Sequence, residues 1–292
     1  DFGIVEATIA LHTVFDSPKD KIVWDVSHQV YPHKILTGRK QAYLEEEHYD
    51  DVSGYSNPAE SEHDFFEVGH TSTSISLASG LAMARDLRGG HENIIAVIGD
   101  GSMSGGEALE GLDTVGEMGT NMIIVLNDNQ MSIAEVHGGM YKGFEELRRT
   151  GGKSEHNLFR AMGLDYRFVA DGNDSEALIK VFREVKDMDH PVVVHIVTQK
   201  GKGYKFAEEN KESWHWHMPF DIETGEVKQP YVDEAAELTA SYLLDRLKTD
   251  KKLAILTAAT PASFGFTPER RKQAGKQFID VGIAEEQAVA MA

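Results

Sequence analysis

The segment Ile94–Met131, IIAVIGDGSMSGGEALEGLDTVGEMGTNMIIVLNDNQM, decides the fold. Ile94–Ile98 is an unbroken apolar run, the pattern of a strand covered on both faces. Gly99-Asp100-Gly101 interrupts it with two residues that tolerate backbone angles a Cβ forbids. Ala108, Leu109, Leu112, Val115 and Met118 then recur at helical spacing. Met122–Leu126 is a second apolar strand, closed by Asn127-Asp128-Asn129. The connection has the length of a βαβ crossover, so the two strands run parallel and both turns lie at one edge of the sheet. Asp100 and Asn129 therefore fall side by side at the carboxyl ends of neighbouring strands, where open α/β sheets bind ligands. The expected fold class is α/β, a mostly parallel sheet flanked by helices.

Two hard oxygen donors beside a glycine-rich turn suit a magnesium ion carrying a diphosphate, because magnesium takes an octahedral oxygen shell shared among protein, phosphate and water. Backbone N–H groups at Gly101 and Ser102 are available to phosphate oxygens. GDG alone is equally compatible with a βαβ unit whose glycines merely turn the chain. Asn129, placed at the end of the next strand, favours the metal–diphosphate reading.

GDG followed by NDNQMSI resembles the thiamine-diphosphate motif. With WDVSHQVYPHKILTG (24–38), VGHTSTSIS (68–76) and DVGIAEEQAVAMA (280–292), it is similar to the 1-deoxy-D-xylulose-5-phosphate synthase family. The resemblance covers essentially the whole chain. It implies thiamine diphosphate and Mg²⁺ as cofactors, with Asp100, Asn129 and the Met131 carbonyl on the metal. It places His28, Gly69, His70, Thr71 and Tyr204 at the cofactor, and Lys200 or Lys202 near its diphosphate. Glu285 matches the carboxylate that hydrogen-bonds the aminopyrimidine ring, and His215 a histidine at the mouth of the active site. The implied reaction joins pyruvate to glyceraldehyde 3-phosphate with loss of carbon dioxide, with His28, His70 and His215 as candidates for proton transfer and substrate binding. A homodimer is implied as well. Two departures stand out: Ser27 where a glycine is expected, and Glu286-Gln287 in place of Gln-His.

Composition agrees with a globular protein: 41% hydrophobic and 26% charged over 292 residues. A formal charge of −19 argues against nucleic acid or an anionic membrane as partner. No cysteine is present, which excludes disulfides, thiolate metal sites and a cysteine nucleophile. No apolar run reaches membrane-span length, and no signal peptide is evident, so a cytoplasmic setting is the default.

Along the rest of the chain, Ile4–Val14 and Thr73–Leu87 read as helices, the second starting among Thr71, Ser72 and Thr73. That start reads either as an ordinary hydroxyl cap or as a phosphate seat. Lys21–Val26, Tyr166–Ala170 and Val192–Val197 read as strands, residues 175–187 as a helix capped by Asp174, and 40–55 as helix then loop. The abrupt ends suggest a piece of a longer polypeptide. Residues 1–205 are expected to form a diphosphate-binding domain, 206–231 a connector, and 232–292 the start of a pyrimidine-binding domain. In the connector, His215 and His217 invite a metal reading, whereas Trp214 and Trp216 suit an aromatic docking patch. Rival functions are another thiamine enzyme, such as a transketolase or a 2-oxo acid dehydrogenase component, and a non-catalytic cofactor-binding protein.

Overall fold

Five strands, β1 (Lys21–Trp24), β2 (Ile94–Gly99), β3 (Ile123–Asp128), β4 (Asp165–Val169) and β5 (Val192–Val197), form one sheet in the order β1-β2-β3-β5-β4. All neighbouring pairs are parallel. The computed structural model describes residues 2–229 and 231–292; Asp1 and Pro230, which belong to the expected first domain and connector, lie outside the described residues.

Helices cover both faces, so the chain adopts the α/β class. Helices α1 (Val5–Val14) and α5 (Ser175–Val185) pack on one face, against Ile22, Ile95, Val97, Ile123, Val125, Val192 and Val194. Helices α2 (Ser74–Leu87), α3 (Gly106–Met118) and α4 (Met140–Arg149) cover the other, against Val23, Ile94, Ala96, Ile98, Ile124, Leu126 and Val193. Alternate strand residues thus face opposite layers, and each fully buried Val or Ile contributes about 1.5–3 kcal/mol. The strand order explains which helix lies where. From β2 to β3 the chain advances through α3; from β4 to β5 it steps back through α5. Right-handed crossovers in opposite directions must use opposite faces.

A smaller parallel pair, β6 (Ile255–Thr257) and β7 (Phe278–Asp280), packs with α6 (Glu234–Thr249) around Ala240, Leu244, Leu247, Phe266 and Ala274. It meets the large sheet at the turn after β2, where Ser104 Oγ donates to the Ile283 carbonyl at 3.0 Å. Arg271 grips Glu212 of the connector through two bonds of 2.9 Å. The last helix, α7 (Glu285–Met291), follows directly. Among the described residues no helix is long and apolar enough to cross a membrane.

Candidate functional site

The ladder between β2 and β3 sets the centre of the site. Gly99 pairs with Asn127, and the Asp100 N–H donates to the Asn127 carbonyl at 3.0 Å. This last rung brings Asp100 against the turn that closes β3, where its Oδ1 accepts from the Asn129 N–H at 3.4 Å. Gln130 adopts a left-handed backbone, φ 64°, which folds the turn back so that Asn129 Oδ1 accepts from the Met131 N–H at 3.1 Å. Gly101 suits this close approach, because a Cβ there would lie 3.0 Å from the Ser132 Cα and push the facing turn back by a few tenths of an ångström.

Asp100 is 1% exposed, and its second oxygen, Oδ2, is buried with no hydrogen-bond partner among the described residues. A buried carboxylate oxygen left unpaired is costly, and a cation removes that cost. Burial, and then the charge of Asp128, push the Asp100 carboxyl above the usual carboxylate range. With the Asn129 amide oxygen, which keeps a second lone pair, and the Met131 carbonyl, the donor set is all hard oxygen and fits Mg²⁺.

A second turn, Val68–Ser72, is held against the first by a residue the sequence reading did not single out. Asp25, at the end of β1 and 1% exposed, accepts the Ser72 N–H on Oδ2 and the Ser74 N–H on Oδ1, both at 3.0 Å. Ser72 then donates from Oγ to the Ser102 carbonyl at 2.7 Å. The start of α2 is therefore held by a distant carboxylate rather than by its own hydroxyl cap, for Thr73 makes no side-chain cap and Asp25 takes the Ser72 and Ser74 N–H groups. Gly69 and His70 are exposed, and Thr71 is half-buried. His70 Nδ1 meets the Thr71 carbonyl at 2.8 Å, and its Nε2 lies 3.5 Å from Glu285 Oε1. Glu285, from the first turn of α7, thus reaches the large sheet's edge.

The third wall is built by the loop after β5. Lys200 Nζ donates to the Ser132 carbonyl and, at 3.0 Å, to His215 Nδ1. The His215 ring centre is 5.5 Å from that of His28. Burial lowers Lys200 to about 8, and its charge adds to the burial that lowers His28 to about 4 and His215 to about 3. At neutral pH both imidazoles are uncharged and Lys200 is the cation facing Asp100. Lys202 is exposed.

Tyr204 packs among Phe206, Trp214 and Phe220, with its hydroxyl donating to the Ile222 carbonyl at 3.1 Å. His217 stacks on Trp214 at 3.9 Å, while His215 faces Lys200 and His28. Among the described residues a three-ligand group of His and carboxylates forms only at Glu45, Glu47 and His48 on the surface. Ser27 stands where a glycine was expected, in the left-handed backbone that favours glycine, and its hydroxyl ties the loop on two sides. Its φ is 69°, its hydroxyl donates to the Val68 carbonyl at 3.0 Å and it accepts from the Ser56 N–H at 2.9 Å.

Behind the His28 loop, charged side chains from residues 33–39 and 60–64 are buried together. Lys34 bonds Glu60 at 2.6 Å, Arg39 bonds both Glu60 and Asp64, and His33 meets Asp64 at 3.0 Å. This network pins residues 53–64 beneath the loop. Only the density of charge in HKILTGR and ESEHD hinted at it.

Comparison with known proteins agrees with these motifs. The family model described as 1-deoxy-D-xylulose-5-phosphate synthase matches residues 1–155 and 150–198. The 1-deoxy-D-xylulose-5-phosphate synthase 1 of Geobacter sulfurreducens is 39% identical over 331 aligned positions, covering all of this chain and 52% of the relative. The corresponding synthases of Desulforudis audaxviator and Desulfitobacterium hafniense are 39% and 40% identical, again over 52% of each relative. The chain spans about half the length of the curated relatives it matches.

Proposed function

The chain belongs to the 1-deoxy-D-xylulose-5-phosphate synthase family, and on that premise we propose that it binds thiamine diphosphate through Mg²⁺ at the carboxyl edge of the large sheet. Asp100, Asn129 and the Met131 carbonyl would hold the metal. Gly101, Ser102, Gly69 and Thr71 would lie along the cofactor, with Lys200 supplying positive charge to its diphosphate. Residues 1–205 then serve as the diphosphate-binding domain, 206–231 as the connector and 232–292 as part of the pyrimidine-binding domain.

When bound, the cofactor supplies an electron sink for making and breaking carbon–carbon bonds next to a carbonyl. The chain supplies the rest. Glu285 would hold the aminopyrimidine through its carboxylate. His28 and His215, kept neutral by burial and by Lys200, would offer uncharged imidazoles for hydrogen bonds to a bound carbonyl at neutral pH. His70, poised beside Glu285, would contact the bound molecule from the exposed side. The activity proposed for the whole protein is a transferase reaction joining pyruvate and glyceraldehyde 3-phosphate to 1-deoxy-D-xylulose 5-phosphate with release of carbon dioxide. It would act as a cytoplasmic homodimer supplying isoprenoid, thiamine and pyridoxal precursors.

The observation that carries this reading is the buried Asp100 Oδ2, without a partner among the described residues, beside Asn129 and Met131. Calorimetric titration with thiamine diphosphate, with and without Mg²⁺, tests it on wild type and Asp100→Ala. Binding that requires Mg²⁺ and is lost in the variant supports the site. Binding indifferent to metal, or retained by Asp100→Ala, refutes it.

A further inference from the structure

A line of polar side chains runs through the apolar layer under α4 and ends at the turn that carries Asn129. Tyr166 on β4 donates its hydroxyl to His195 Nδ1 at 2.7 Å. The Asp128 carboxylate only accepts, so His195 Nε2 donates to its Oδ2 at 2.9 Å and leaves Nδ1 to accept from the Tyr166 hydroxyl. Arg148 of α4 donates to the same oxygen. His195 and Asp128 are fully buried, and Phe144 and Phe168 pack on the imidazole with ring centres 5.7 and 5.3 Å away. None of these four residues belongs to the donor set described above.

Apolar residues of similar volume would stabilise this layer at least as well as buried charge does. What they could not do is aim a turn. The other oxygen of Asp128, Oδ1, accepts from the N–H of Gln130 at 3.2 Å, the residue with the left-handed backbone. That bond holds the reversal that brings the Asn129 amide oxygen and the Met131 backbone together. On the Asp100 side, α4 adds Tyr141, whose hydroxyl donates to the Asp100 carbonyl at 3.2 Å and the Gly101 carbonyl at 3.3 Å. One helix therefore ties both turns of the site, through Tyr141 to the first and Arg148 to the second.

Resting on the metal reading above, we propose that Tyr166, His195, Asp128 and Arg148 are positioning residues that aim the Asn129–Met131 turn at a divalent cation. The affinity for that cation then depends on side chains that do not touch it. Partners of this kind typically change metal affinity 10- to 100-fold when removed.

The sign of one effect separates positioning from plain electrostatics. Arg148→Met takes a positive charge away from the cation site, so an electrostatic role alone would tighten cation binding. Positioning weakens it instead. The probe is Mn²⁺, titrated into the full chain with excess thiamine diphosphate and followed by the resonance signal of free Mn²⁺. Arg148→Met is expected to raise the Mn²⁺ dissociation constant about 10- to 100-fold. Tyr166→Phe, which changes no charge, is expected to raise it by a smaller factor, about 3- to 10-fold. A merely structural role would lower the melting temperature of the metal-free variants and leave the Mn²⁺ affinity of the folded protein unchanged. Unchanged or tighter Mn²⁺ binding in both variants overturns the inference. Failure of wild type to bind Mn²⁺ is a different result, which removes the metal reading and the inference with it.

Discussion

Replacing Asp25 by Asn is expected to cost a large part of the stability that replacing it by Ala costs. Both carboxylate oxygens act as acceptors, Oδ2 for the Ser72 N–H and Oδ1 for the Ser74 N–H. An amide has one acceptor, and its NH₂ would face the other N–H. Ala leaves two buried N–H groups unpaired, at about 1–3 kcal/mol each. Part of that is returned, because the buried carboxylate is itself expensive: burial raises its pKa, and the bonds from Ser74, Ser102 and Ser72 offset this only in part. The net cost expected is about 2–3 kcal/mol for Ala and about 1–2 kcal/mol for Asn, in line with the loss of a good helix N-cap. Urea unfolding at neutral pH, followed by circular dichroism, reads both values. The same variants are expected to weaken Mn²⁺ binding, since Ser72, at φ 73°, ties the turn at Ser102 only while Asp25 holds it. Asn within about 0.5 kcal/mol of wild type would refute the two-oxygen account.

Ser27→Ala, which keeps the left-handed strain but loses both hydroxyl bonds, is expected to cost about 2 kcal/mol. Ser27→Gly loses the same bonds but relieves the strain, so thermal unfolding should place it about 1 kcal/mol above the Ala variant; the reverse order would show that φ 69° carries no penalty here. Stability should also fall in mild acid. Burial, and then the charges of His33 and His63, lower His12 to about 4 from an ordinary 6.5. The unfolded chain therefore binds more protons between those values, and stability is full above pH 6.5 and lost as pH drops through the window. His12→Gln should flatten the slope of urea stability against pH from 7 to 5, and an unchanged slope would discount the group.

What the sequence disclosed and what it hid follow from the range of the signals. The βαβ unit at 94–131 was legible because its evidence is local: two apolar runs, a helical stripe, and turn residues at both strand ends. Parallel pairing then placed Asp100 beside Asn129 with no further information. Asp25 was hidden because the groups it serves lie 47 and 49 residues away, while Thr71, Ser72 and Thr73 offered a nearer cap of the expected type. The carboxylate serves there because its two oxygens reach two N–H groups separately, each with a charge-assisted bond that a neutral hydroxyl does not offer. The loop after β5 leaves the same edge as Asp100 and Asn129, and there Phe206, Trp214 and Phe220 gather the Tyr204 ring into an aromatic group that sequence spacing did not announce. His195 did leave a signal, a single ring nitrogen pair inside VVVHIV, a strand otherwise apolar and buried. A polar residue in such a run demands a partner, and its register opposite Leu126 leaves the next turn of β3, with Asp128, within reach. The mismatch between a residue and its strand thus points to the site more sharply than the apolar pattern around it.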